Sequence, residues 1–172
     1  MTLASKLGKS YEKNRDKAKL KTITLEIGNA KFDLKVRVPL KKEMEIIIDK
    51  ITKPSEEKVN AIYEKLASPL IKTVNEGGAE FKKALEENDN TIVILENDVL
   101  LQGKSVKEIA TFTAMWEIKV EEYFHLLQSE TGEPINESYD QISDEFPEAV
   151  IKQIIEDIEN SVKPDYKNTK KN

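Results

Sequence analysis

The sequence predicts an α+β fold, with two β-hairpins forming a small antiparallel sheet packed against several helices, including one long helix and a C-terminal amphipathic helix. Three patterns carry that expectation. Apolar and polar residues alternate over residues 23–38, the period of a half-buried strand, and an Ile/Val/Leu-rich run returns over residues 92–101. Apolar residues then recur at spacings of three and four over residues 105–128 and 150–158, the period of a helix with one buried face. Cap and turn residues stand between these stretches and divide one element from the next.

Residues 1–20 are polar, basic and only faintly periodic, which predicts a flexible or loosely helical arm. Ile23, Leu25 and Ile27 then alternate with polar residues, Gly28-Asn29-Ala30-Lys31 offers turn chemistry, and Phe32, Leu34, Val36 and Val38 alternate up to Pro39. This is a hairpin with one apolar face and one wet face, with Lys31, Lys35 and Arg37 on the wet side as solvated charge. Met44, Ile47, Ile48 and Ile51 predict a helix over residues 41–51. Ser55 suits the N-cap of a second helix, because its hydroxyl can satisfy an orphan backbone N–H while Glu56 and Glu57 complement the positive end of the dipole. Val59, Ile62, Tyr63 and Leu66 form the buried stripe of that helix. Ser68-Pro69 predicts a bend into a further helical segment over residues 70–74, stopped by Asn75-Glu76-Gly77-Gly78. Phe81 and Leu85 suggest a short helix over residues 79–87.

Ile92-Val93-Ile94-Leu95, a tight Glu96-Asn97-Asp98 turn and Val99-Leu100-Leu101 predict the second hairpin. The long helix opens at Ser105-Val106-Lys107-Glu108, a capping-box pattern, and runs to Gln128. Its stripe of Val106, Ile109, Thr113, Trp116, Val120, Phe124 and Leu127 is expected to cover the apolar face of the sheet. A loop over residues 129–137 leads to an acidic helical turn at Tyr139–Glu145, and Pro147 starts a last helix carrying Val150, Ile151, Ile154, Ile155 and Ile158. The expected organisation is a basic arm (1–20), a single α+β domain (21–162) and a basic tail (163–172).

Charge and composition exclude several classes of function. The net charge of −5 divides unevenly: residues 1–21 hold seven Lys/Arg against Glu12 and Asp16, and residues 163–172 hold four Lys against Asp165. The body between them, residues 22–162, has 16 basic and 29 acidic residues, and such a body repels nucleic-acid phosphates. The absence of cysteine excludes disulfides and thiolate metal sites and favours an intracellular compartment. No apolar run approaches the roughly 20 residues of a membrane span, and the N-terminus lacks a signal-peptide core, so the expectation is a cytosolic protein without membrane or nucleic-acid partners.

Gly103-Lys104-Ser105 follows a strand and precedes a helix, where a phosphate-binding loop would place those residues. The first glycine of that motif is replaced by Asp98, whose charge opposes a phosphate, so capping of the long helix is the expected role. Gly8-Lys9-Ser10 fails in the same way. Glu117, Glu121 and His125 share one helix face at a spacing of four, yet three ligands on one helix, two of them carboxylates, make a poor metal site. A partly buried histidine is the expected role of His125, which has no Ser or Cys partner pattern around it. The carboxylate pairs Glu121-Glu122, Asp144-Glu145 and Glu156-Asp157 read as helix exteriors. No catalytic, cofactor-binding or metal-binding residue is expected, and the chain is not expected to be an enzyme. Trp116, Tyr123 and Phe124 are the candidate partner-binding residues, with core packing as their competing role.

The order of pieces carries a resemblance. A basic arm precedes a hairpin ending in Val36-Arg37-Val38-Pro39, then Lys53-Pro54-Ser55 opens a helix reaching Tyr63 and Leu66-Ala67-Ser68-Pro69-Leu70. Gly103-Lys104-Ser105 opens a long helix closing in Glu122-Tyr123-Phe124-His125-Leu126-Leu127, followed by Tyr139-Asp140, Glu145-Phe146-Pro147 and a tail from Pro164 to Asn172. From about residue 20 onward this resembles the tail assembly chaperones of long-tailed bacteriophages, the lambda-like and related group. The resemblance implies an α+β fold and a non-enzymatic role in the host cytoplasm: binding the tape measure protein, recruiting tail tube protein, and leaving before the virion is mature. A frameshifted longer form and self-association are compatible with it. The alternative is a permanent virion component, such as a tail tube or head-tail connector subunit.

Overall fold

The alternation over residues 23–36 folds, in a computed structural model that describes residues 3–11, 19–88 and 91–163, as the antiparallel pair β1 (Leu20–Ile27) and β2 (Ala30–Arg37). Thr24 pairs with Asp33 and Leu25 with Phe32, so the polar and apolar faces predicted from the period-two pattern are both present. On the wet face the Thr24 hydroxyl donates to Asp33 at 2.8 Å, and Lys31 meets Glu26 at 2.6 Å. Gly28, at φ 61, takes the first turn position, where a left-handed conformation matches the strand twist. A helical turn at Leu3–Lys6 (α1) is the first element of the expected arm. Residues 12–18 of the arm and residues 164–172 of the tail lie outside the described residues.

By its internal contacts the chain divides into two compact units, the first of residues 1–47 with 119–172 and the second of residues 48–118. The second unit is therefore an insertion in the sequence of the first. Its boundaries fall inside two helices, α2 (Lys41–Thr52) and α5 (Val106–Phe124).

In the first unit, two residues beyond α5 form a short strand, β6 (Leu127–Gln128), which pairs antiparallel with β2 and makes the sheet order β1-β2-β6. The helix expected to reach Gln128 thus ends four residues earlier. The reason is the open edge of β2: Arg37 N–H donates to Leu126 O at 2.8 Å, and Val36 pairs with Leu127, so the backbone leaves the helix to satisfy the sheet. The apolar sheet face carries Ile23, Leu25 and Val36, and helix α7 (Glu148–Val162) packs on β1 with Ile151, Ile154, Ile155 and Ile158 buried. Helix α6 (Tyr139–Glu145) begins with a full capping box in which Ser138 and Gln141 exchange side-chain and backbone hydrogen bonds. In α2, Ile47 is buried as expected, whereas Ile48, expected on the same apolar face, is half exposed.

The second unit carries the other hairpin, β3 (Ile92–Ile94) with β4 (Val99–Leu101), extended by β5 (Lys104–Ser105) into a separate three-stranded sheet. Gln102 and Gly103 both adopt positive φ, at 53° and 75°, the signature of a two-residue hairpin turn. The expected hairpins therefore lie in two sheets. Helix α3 (Glu56–Glu76) starts at Ser55, whose hydroxyl accepts from Lys58 N–H, and continues through Pro69. The two helical segments expected on either side of Ser68-Pro69 are one continuous helix, because Ala67 on one side and Leu70 and Ile71 on the other join one apolar cluster with Val99 and Val106, which holds the helical path. Helix α4 (Gly78–Glu87) realises the short helix expected over residues 79–87. A β-carbon at Gly77 would meet the Phe81 ring at 2.2 Å, so the junction between α3 and α4 requires glycine there.

Candidate protein-binding groove

The first unit holds a cavity of about 470 Å³, open along the end of the β1/β2 hairpin. Leu25, Ile27, Phe32 and Leu34 project from the hairpin, Phe124 and Leu127 from the junction of α5 with β6, and Ile142, Phe146 and Ile154 from α6 and α7. Ile135 closes the wall from the loop before α6. The period-two pattern explains the hairpin's share: Leu25 is opposite Phe32 and Ile23 opposite Leu34, so one face of two strands lines the cavity. Covered sheet becomes open sheet toward the turn, since Leu25 is 2% exposed while Ile27 and Phe32 are 38% and 48% exposed. The rings of Phe124 and Phe146, both in the lining, stand 6.1 Å apart at 58°, a tilted contact. Glu137 and Glu145 bring negative charge, and Gln128 and Gln141 bring amides, to an otherwise apolar lining. Apolar walls with a few polar groups are the chemistry of a docking groove for apolar side chains.

The three candidate contact residues are placed differently from one another. Tyr123 and Phe124 are buried, at 6% and 4% exposure, and Phe124 lines the groove. Trp116 is half-buried in the second unit, with an indole N–H that has no hydrogen-bond partner. The Tyr123 ring carries Lys119 Nζ at 5.7 Å from its centre, and Lys119 pairs with Glu159 at 2.9 Å. Burial, followed by the charge of Glu159 and a hydrogen bond to it, pushes the Tyr123 phenol up to about 12. The most open apolar residues of the lining, Ile27 and Phe32, occupy ordinary hairpin positions in the sequence pattern. Their alternation signals an apolar face but not where its cover ends.

Glu117, Glu121 and His125 are not brought together. Glu117 pairs with Lys58 at 3.3 Å, Glu121 accepts from Tyr139 N–H at 2.9 Å, and His125 Nδ1 donates to Ile135 O at 3.2 Å. Among the described residues, no group of three His, Asp or Glu side chains is arranged to hold a metal ion. No helix among them is long and apolar enough to cross a membrane.

Asp98 stands at the start of α5, where Gly103-Lys104-Ser105 suggested a phosphate. Its carboxylate accepts from Val99 N–H at 2.8 Å, from Lys107 N–H at 3.1 Å and from the Ser105 hydroxyl. Ser105 in turn caps Glu108 N–H at 3.0 Å, as expected. Burial opposes ionisation of Asp98, but these hydrogen bonds and the charge of Lys107 outweigh it and hold the group below the ordinary carboxylate range. The helix N-terminus is thus already supplied with an anion from within the chain.

Comparison with protein-family models, with curated proteins and with solved structures finds no match.

Proposed function

We propose that this chain is a phage tail assembly chaperone, which binds the tape measure protein and helps recruit tail tube subunits during tail morphogenesis in the host cytoplasm. The reading joins two supports. One is the sequence resemblance that runs from about residue 20 onward. The other, and the observation that carries a binding role, is the apolar groove beside Ile27 and Phe32 with Glu137 and Glu145 in its lining. A groove of this kind takes the apolar face of an amphipathic helix, and its carboxylates favour basic residues flanking that face. In this role the chain binds and releases partners without catalysis and is absent from the finished particle.

Co-expression tests the reading. A tape measure protein that precipitates alone is expected to stay in solution with this chain, and unchanged precipitation would count against the proposal. Mass spectrometry of purified particles separates it from a permanent tail tube or connector subunit, which would be present in many copies.

A further inference from the structure

We propose that the groove of the first unit is a docking site for the chain's own N-terminal segment, whose apolar side chains Leu3, Leu7 and Tyr11 seat against the hairpin end until an external partner displaces them. The inference rests on the groove and the segment, and not on the tail-assembly reading.

Both surfaces are open and apolar. Leu3, Leu7 and Tyr11 are 73%, 58% and 50% exposed, a costly display for one short segment, and Ile27 and Phe32 present the complementary surface. Charge distinguishes this segment from other apolar occupants. Residues 1–21 hold seven Lys/Arg against two acidic residues, and Lys6 and Lys9 flank Leu7, while Glu137 and Glu145 line the groove. Opposite charge at the edges fixes orientation while apolar contact supplies the affinity.

Chain length permits the contact within one molecule. The nine steps from Tyr11 to Leu20 reach up to about 30 Å when extended. From Leu20, β1 rises only about 17 Å to Leu25 at the groove. Tethering on this scale gives an effective concentration of order millimolar, enough to populate a contact too weak to hold a separate peptide. Gly8, at φ 101, turns the backbone between the helical turn at Leu3–Lys6 and residues 9–11, a conformation that glycine adopts without strain. A partner helix must then compete with a resident segment, which raises the threshold for weak or incorrect partners.

A spin label tests the contact. The chain has no cysteine, so Ser10→Cys in the full-length protein gives one attachment point. In the labelled chain, NMR signals of Ile27, Phe32 and Ile135 are expected to lose intensity, and Leu7→Glu, a change at an exposed position, is expected to restore them. A mixture of spin-labelled chain with isotope-labelled chain lacking the nitroxide should show no such loss. Undiminished signals in the labelled chain, a loss that survives Leu7→Glu, or an equal loss in the mixture overturns the proposal, the last by placing the contact between two copies.

Discussion

The Ser105 hydroxyl donates to the Asp98 carboxylate while accepting from Glu108 N–H, so two residues seven apart close the N-terminus of α5 together. Removing the carboxylate leaves Val99 and Lys107 N–H groups without their acceptor. Asp98→Ala is expected to cost about 1–2 kcal/mol, the magnitude of a lost helix cap, measured by urea unfolding. The pH dependence follows from the lowered folded-state value. Asp98 contributes stability that is present above the unfolded carboxylate value, near about 4, and is lost as pH falls through the folded value. The Ala variant should therefore lose less stability than the parent on acidification over that range.

Ala110 and Ala114 are fully buried in the second unit and pack with Val59, Ile62 and Tyr63 of α3. Small side chains set the approach of the two helices. Ala114→Leu is expected to destabilise by about 1–3 kcal/mol through overpacking, visible as a lower urea midpoint with an unchanged slope. A neutral or stabilising result would show room there that the packing does not contain.

Tyr123 is expected to ionise near pH 12 in an ultraviolet titration of the folded protein. Because its folded-state value is raised, its contribution to stability is complete below the unfolded phenol value, about 10, and is lost as pH rises from there through about 12. Tyr123→Phe keeps the ring and removes the ionisation. Its unfolding free energy should fall less steeply over that alkaline range than the parent's.

Phe32 is half exposed, so Phe32→Ser is expected to change stability by under about 1 kcal/mol while weakening partner binding at least about tenfold, as loss of an aromatic anchor does. Thermal unfolding and a pull-down of the tape measure protein read the two effects separately. Equal loss of both would make Phe32 a structural residue.

Much of the local structure follows from residue order alone. The strand pairing of residues 20–37, the Ser55 cap, the second hairpin and the last amphipathic helix all rest on periods of two or 3.6 and on caps, which act between near neighbours. Local rules failed where distant residues intervened. Leu127 and Gln128 leave their helix because the edge of β2, some ninety positions earlier, offers hydrogen bonds. Pro69 stays inside a helix because Val99 and Val106 pack on the same cluster as its neighbours Ala67 and Leu70. Gln102-Gly103 becomes a hairpin turn because β5 pairs back on β4.

The same division applies to function. By itself the sequence determined an acidic, cysteine-free chain with basic ends and apolar faces to cover, because charge and hydrophobic period are properties of residue order. Only the tertiary structure decided which apolar residues stay open. Trp116, Tyr123 and Phe124 stood out by size, yet burial withdrew Tyr123 and Phe124 from the surface and left Ile27 and Phe32 exposed. Exposure depends on where a covering helix ends in space, and that end is set by packing between residues more than a hundred positions apart.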